Sequence, residues 1–313
     1  MLRFGDLFCG GGLGARGAVM AGCVPVLAVD GWDVASDTYR ENFPSAVVHT
    51  SRIQKLDPRM LAKRHTIDIL LTSPECTNHS PAKGSAPRSE SSRELALTSL
   101  EWVKAFRPRW VVLENVPQMR SWKRYDEIVA GLKQLDYAVR EEVACATEFG
   151  VPQARRRLFI VADNKREPLP IRRSKPTTKT VRSILDPRGT YATTPLFQKN
   201  RAKATIARAN RAIDSQGSRS PFLIVYYGSD GSGGWQSMDE PLRTVTTLDR
   251  FALVEMRSGK WEMRMLQPAE LARAMGVPKQ HKFSYGSRRD RVKLCGNGVC
   301  SPVMERVVSS LTA

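Results

Sequence analysis

Through residue 165 the chain alternates short apolar, β-branched runs with longer stretches of helical period. That alternation leaves few architectures, because strand–helix–strand units bury both faces of a sheet only when helices cover it on each side. Strands are expected at Arg3–Phe8, Val24–Val29, Ala46–Val48, Ile67–Leu71, Trp110–Leu113, Ala138–Val143 and Arg157–Ala162. Helices are expected between them at Ala15–Ala21, Ala35–Asn42, Leu95–Phe106 and Asp126–Leu135. The expected class is therefore α/β, a doubly wound sheet.

The character changes near Asn164. From Lys165 to Ser220 there are fourteen Lys or Arg and three acids, with many Pro, Thr and Ser. A structureless stretch of this length is uncommon in a compact enzyme, so a second, smaller module is expected here, mostly irregular with short strands; a solvated linker is the plainer alternative. Pattern returns at Phe222–Tyr227, pauses at the Gly-rich loop 228–234, and resumes over Leu242–Leu253. Pro268–Met275 reads as a helix stopped by Gly276, and Pro302–Leu311 as a last helix.

Across its 313 residues the chain carries a net charge of +18, a surface that attracts polyanions, nucleic acid first. Six scattered cysteines without a CxxC pair, and only four histidines, argue against a structural metal. The start, Met1-Leu2-Arg3-Phe4-Gly5-Asp6, puts charge where a signal peptide needs an apolar core, and no run approaches membrane-spanning length. The expected compartment is a reducing cytoplasm, where Cys76 stays a free thiol.

Chemistry is expected at strand ends, where an open α/β sheet presents it. The first strand runs into Asp6-Leu7-Phe8-Cys9-Gly10-Gly11-Gly12-Leu13-Gly14, a turn that lets a ligand approach backbone N–H groups. The next strand ends in Asp30, placed to accept both hydroxyls of a ribose; a helix cap or an exposed turn is the lesser alternative for a carboxylate there. Gly10, Gly12 and Gly17 do not make the dinucleotide spacing. Cys76 follows one buried run, and Glu114-Asn115-Val116 follows another. A thiol is intrinsically nucleophilic, and a desolvated carboxyl is a proton donor, so the pair suits conjugate addition to an electron-poor ring. Read singly, Cys76 could be a buried apolar cysteine and Glu114 a surface ion-pair partner.

These residues, in this order, resemble the DNA cytosine-C5 methyltransferases over nearly the whole chain except about 165–240. Asp6-Leu7-Phe8-x-Gly10-x-Gly12 is similar to the family's S-adenosylmethionine loop, and Asp30 to its ribose ligand. Pro74-Glu75-Cys76 resembles the Pro-Cys nucleophile motif, with Ser80 further along its loop, and Glu114-Asn115-Val116 the Glu-Asn-Val motif. Gly150 through Arg157 resembles Pro-Gln-x-Arg-x-Arg; Arg264 through Gly276 the segment that props the recognition region; Gly296-Asn297-Gly298-Val299 the Gly-Asn-x-Val motif that closes the cofactor pocket.

The resemblance implies a Rossmann-like methyltransferase sheet over 1–165, completed by 285–313, a target-recognition domain over 166–262, and a return segment over 263–284. It implies a monomer that flips a cytosine out of duplex DNA, with S-adenosylmethionine as cofactor. Cys76 would attack C6, Glu114 would bond N3 and the exocyclic amine, Arg157 would hold O2 with Arg155 assisting, and Asn115 would orient the backbone. Asp6, Phe8, Gly10, Gly12, Asp30, Pro74 and Asn297 would hold the cofactor, Phe8 by stacking on adenine. Ser80, Lys83, Arg93, Arg172, Arg173 and Arg243 would contact DNA, with Arg88 beside them on the nucleophile loop; loop 228–234 could approach the DNA backbone or be a plain hairpin turn. The setting implied is the cytoplasm of a prokaryote or phage-infected cell, near its DNA. Three departures stand out. Glu75 replaces a proline beside the thiol, where a carboxylate would raise the thiol pKa; Leu13 replaces a common glycine; and Ser51-Arg52-Ile53 stands where the family has Asp-Ile. The alternatives are an RNA cytosine methyltransferase on the same scaffold and a catalytically inactive DNA-binding protein.

Overall fold

The computed structural model describes residues 1–76, 78–79, 87–217, 219–227, 231 and 233–313. Along its first half run β1 (Arg3–Leu7), α1 (Leu13–Met20), β2 (Val24–Asp30), α2 (Asp33–Asn42), β3 (Val47–Thr50), α3 (Pro58–Ala62), β4 (Ile69–Thr72), α4 (Glu90–Arg93), α5 (Leu95–Phe106), β5 (Trp110–Asn115), α6 (Tyr125–Gln134), β6 (Ala138–Cys145), the two-residue β7 (Gln153–Ala154) and β8 (Arg156–Asp163). Seven of these strands form one sheet in the order β3-β2-β1-β4-β5-β8-β6. The first five are parallel, while β8 lies antiparallel between β5 and β6. From β1 the chain winds outward to β3, then crosses back to β4 on the other side of β1. That reversal opens a crevice beyond the ends of β1 and β4, where open sheets of this kind bind ligands.

The sheet is apolar because both faces are covered. Every residue of β4 and β5 is buried. Alternate side chains go to opposite faces: Ile69, Leu71 and Val112 join the core that includes α1 and α10 (Ser301–Leu311), while Leu70, Val111 and Leu113 join the core under α5 and α6. Gly17 of α1 is pressed against α10, so that a Cβ there would stand 2.3 Å from the Ser301 carbonyl oxygen. Helix contact that close requires glycine.

The second half contributes β9 (Thr194–Pro195), α7 (Lys203–Gln216), β10 (Phe222–Val225), β11 (Trp235–Ser237), β12 (Leu242–Arg243), β13 (Phe251–Arg257), β14 (Lys260–Met265), α8 (Pro268–Ala274) and α9 (Arg288–Asn297) before α10. An antiparallel sheet, β11-β10-β13-β14-β9, has its own small core around Phe222, Ile224, Val254 and Met263, with α7 packed on it. The basic segment is irregular over most of its length, as expected, but it also contains the fourteen-residue α7. Its buried stripe is Thr205, Ala209 and Ala212, small residues at helical spacing that a reading by charge and bulk overlooks. The patterned stretch Leu242–Leu253 divides in two: Leu242–Arg243 pairs in parallel with Gln153–Ala154, and the polar stretch from Thr244 to Arg250 separates it from β13.

A buried ion pair joins the end of β14 to α8. Arg264 donates through both terminal nitrogens to Glu270, at 2.7 and 2.6 Å. The same carboxylate accepts the backbone N–H of Gln267 and of Asp186, so all partners are satisfied. Truncation that strands one charge in such a place costs about 3–5 kcal/mol, whereas removing the pair together costs much less. Urea denaturation should therefore show Glu270→Ala losing about 3–5 kcal/mol, and the double variant Arg264→Met/Glu270→Gln, which keeps an acceptor for the two backbone N–H groups, lying much nearer wild type.

Candidate active site

The turn after β1 is held in an unusual shape. Phe8 has φ 56°, Gly10 φ 54° and Gly12 φ 78°. A left-handed phenylalanine is strained and occurs where surroundings fix it. The Gly10 N–H donates to Asp30 (2.9 Å), whose other oxygen accepts the Trp32 N–H (2.9 Å). Asp30 thus locks the ends of β1 and β2 together while each carboxylate oxygen keeps a second lone pair. A Cβ at Gly10 would meet nothing within 4 Å, so the turn's backbone is open on that side.

A cavity of about 590 Å³ lies in the crevice. Asp6, Phe8, Gly10, Asp30, Trp32, Arg52, Lys293 and Asn297 line it, together with Pro74, Cys76, Glu114, Arg155 and Arg157. Cys76 follows β4 and Glu114 lies near the end of the neighbouring β5, so two adjacent parallel strands deliver them to one wall. Arg157, on β8 at the other side of β5, pairs with Glu114 at 2.9 Å. Asn115 is fully buried behind the wall: its amide donates to the Pro74 carbonyl (3.1 Å) and its oxygen accepts the Val116 N–H (2.9 Å). It fixes the backbone that leads to Cys76. Arg155 donates to the carbonyls of Val245 (2.8 Å), Gly296 (2.8 Å) and Gly298 (2.9 Å).

Electrostatics follow from burial. Desolvation pushes the Cys76 thiol up; the Arg157 guanidinium pulls it back, and Glu114 pushes it further up. Glu114 is also raised by burial, against the pull of Arg157. Burial, with Arg157 adding, lowers Arg155 to about 10. Asp30 is raised by burial, against the Gly10 and Trp32 N–H groups; Asp6 is raised well above the carboxylate range by burial and by Asp30. The expectation that Glu75 raises the thiol needs correction. Glu75 is exposed at the rim and accepts from the Ser92 hydroxyl (2.6 Å); the carboxylate acting on Cys76 is Glu114.

Other expected site residues fall elsewhere. Gly12 begins α1 rather than facing the cavity, and a Cβ there would stand 2.5 Å from Phe43. Arg93 donates to the Asn78 carbonyl (3.0 Å) and pairs with Glu90, and Arg88 donates to the same carbonyl (2.9 Å). Arg173 pairs within the chain with Glu142 and Glu148, at 3.2 and 3.1 Å, which ties its charge down beside β6. Arg172 is exposed, with its backbone N–H bonded to Ser310, and Arg243 is half-buried on β12. Ser80 and Lys83, and most of loop 228–234, lie outside the described residues. Motif reading missed Trp32, Arg52 and Lys293. An aromatic two residues after Asp30 was the available signal for Trp32; Lys293, whose ammonium sits 4.1 Å from the Trp32 ring centre, is one of several cations on α9 and carries none.

An adenosine-type group suits this wall: an open glycine turn, a carboxylate with lone pairs to spare and two aromatic residues. Among the described residues no cluster of His, Cys, Asp or Glu could hold a metal, and no helix is long and apolar enough to cross a membrane. All six cysteines are free.

A family model described as C-5 cytosine-specific DNA methylase matches residues 2–313. The Type II methyltransferase M.HgiDI of Herpetosiphon aurantiacus is 32% identical over 157 residues, 50% of this chain and 50% of that protein. The human tRNA (cytosine(38)-C(5))-methyltransferase is 27% identical over 177 residues, 54% of this chain and 44% of that protein. The chain matches about half the length of these curated relatives. The structure of the Entamoeba histolytica methyltransferase EhMeth superposes with a TM-score of 0.72 at 13% identity, over 99% of this chain and 98% of that one, which shows a shared fold.

Opposed neighbours set the thiol's reactivity, and each can be removed. The pH profile of Cys76 alkylation by iodoacetamide, followed by peptide mass spectrometry, should move to lower pH in Glu114→Gln and to higher pH in Arg157→Met.

Proposed function

The chain belongs to the C-5 cytosine-specific DNA methylase family, and from that premise we propose that it transfers a methyl group from S-adenosylmethionine to C5 of a cytosine flipped out of duplex DNA. One observation carries the reading: Cys76, Glu114 and Arg157 line one cavity with the glycine turn and Asp30. A nucleophile and a proton donor thus face the same space as a nucleoside-sized binding wall.

Flipping costs roughly a few kcal/mol, and a snug polar pocket for the extruded base offsets it. The Cys76 thiolate forms a bond to C6. Glu114 bonds N3 and the exocyclic amine, and its raised pKa lets it share a proton with N3 as electron density moves into the ring. Arg157, already paired with Glu114, holds O2 and stabilises that charge. Bound S-adenosylmethionine supplies an electrophilic methyl group for the activated C5. Loss of the C5 proton then restores the double bond and expels the Cys76 sulfur as thiolate. Asn115, through the Pro74 carbonyl, keeps the nucleophile's backbone in place. On the cofactor side Asp30 would accept the ribose hydroxyls with its remaining lone pairs, Phe8 would stack on adenine, Gly10 would let the ligand approach the backbone, and Asn297 would line the methionine end.

We assign target recognition to residues 166–262. The antiparallel sheet with its basic helix α7 supports this, as does the excess of cations in that stretch. Residues 285–313 return to complete the cavity, supported by Lys293 and Asn297 in its wall. Similarity to a Type II methyltransferase supports a modification role beside a restriction activity. Similarity to a tRNA methyltransferase makes RNA the competing substrate.

Tritiated methyl transfer from S-adenosylmethionine should label duplex DNA and not tRNA, and bisulfite sequencing of host DNA should locate the site. Labelled tRNA with unlabelled DNA would overturn the DNA reading. Cys76→Ala should lose on the order of 10⁴-fold or more in rate, and Glu114→Gln about 10²–10⁴-fold. If about six to ten phosphates are gripped, DNA affinity should fall about 10³–10⁵-fold between roughly 50 and 200 mM salt.

A further inference from the structure

The segment between α8 and α9 carries a buried histidine that no cavity wall uses. The two nitrogens of His281 have different partners. Nε2 lies 2.9 Å from the Gly11 carbonyl oxygen, and Nδ1 accepts from Arg16 Nε at 3.5 Å. A guanidinium only donates, so Nδ1 must be the acceptor and the ring proton must sit on Nε2, donating to Gly11. Burial, with Arg16 adding, lowers His281 to about 4, which keeps the ring neutral at physiological pH.

The ring is itself held in place. Lys282 exchanges two hydrogen bonds with the Asn42 side chain, at 2.9 and 2.8 Å, and Ser284 donates to Glu41 (2.6 Å). Arg16 also lies over the Phe43 ring, 4.7 Å from its centre, and Phe43 is the ring that Gly12 presses against. The glycine turn therefore has two sides. Gly10 is open toward the cavity, where its N–H is bonded to Asp30. Behind it, Gly11 is tied to His281 and Gly12 rests on Phe43.

We propose that His281 is a positioning residue for the cofactor: through its hydrogen bond to Gly11 it sets the shape of the glycine turn, and so the register of Gly10 and Asp30 against the bound nucleoside. It acts from behind the wall and touches neither base. The proposal rests on the S-adenosylmethionine reading of the cavity. It adds a residue that lies 270 positions from the turn it shapes.

Three substitutions separate the hydrogen bond from the packing. His281→Phe fills the space without a donor. His281→Gln can place an amide N–H where Nε2 stood. His281→Asn reaches only as far as Nδ1. Calorimetric titration with S-adenosylmethionine and initial rates at saturating DNA should show Phe and Asn weakening cofactor binding, and raising the cofactor KM, by about tenfold, the worth of one buried hydrogen bond. Their kcat should stay within about twofold, the signature of lost binding rather than lost chemistry, and Gln should recover most of the affinity. Unchanged cofactor affinity in His281→Phe, equal behaviour of Gln and Asn, or kcat falling together with thermal stability would each overturn the proposal. A wild-type protein that fails to bind S-adenosylmethionine would remove the cofactor reading as well, whereas normal binding by wild type and by His281→Phe alike would remove this inference alone.

Discussion

One guanidinium closes the molecule. Arg155 sits immediately before β8, is 3% exposed, and donates to three carbonyls that lie 90, 141 and 143 residues away. Val245 belongs to the stretch between β12, which pairs with β7, and β13 of the antiparallel sheet; Gly296 and Gly298 flank Asn297 in the cavity wall. Burying a cation costs several kcal/mol unless strong acceptors replace its water, and charge-assisted bonds to three carbonyls are such acceptors. Gln153, two residues earlier, repeats the tie in neutral form, donating to the Ala274 carbonyl and accepting the Val245 N–H. Arg155 is therefore less an assistant to the nucleophile than the reason the C-terminal segment stands against the crevice at all. Close backbone packing at Gly296, where a Cβ would lie 2.3 Å from Thr246, shows how little room that closure leaves.

Much of this was legible in the chain. Each apolar run of the first 165 residues became a strand within about two residues, the usual scatter at element ends, because continuous Ile-Leu-Leu and Val-Val-Leu runs are satisfied inside a covered parallel sheet. The strand-end motifs were legible for the same reason: a sheet with one switch point brings the ends of β1, β4 and β5 together. What could not be read was contact made at a distance. Nothing in Val-Pro-Lys-Gln-His announces that His281 reaches Gly11, and nothing in a basic α9 singles out Lys293. Nor does the cationic stretch around Arg173 announce that its guanidinium pairs with Glu142 and Glu148. Helix α7 was hidden because its buried face is alanine and threonine, which carry little hydrophobic signal.

The departure at Glu75 illustrates how position outranks proximity in sequence. A carboxylate adjacent to the nucleophile in the chain turns outward to Ser92, while the one that acts on the thiol arrives from the next strand.

The resting site is therefore poised against its own reaction. Cys76 and Glu114 are both raised, so the thiol is mostly protonated and the carboxyl more readily so than in water. The balance is set by Arg157, which lowers both. In the proposed reaction a ring that takes hydrogen bonds from Glu114 and Arg157 would change that balance: a proton shared between Glu114 and the ring would leave less negative charge facing the sulfur, which would favour thiolate. On that proposal nucleophile and acid would be coupled through the substrate, so the thiolate would be most favoured when an electron-poor base is present to be attacked. A strongly ionised cysteine in an open cavity would be an oxidation hazard; a partly buried thiol held protonated is less of one.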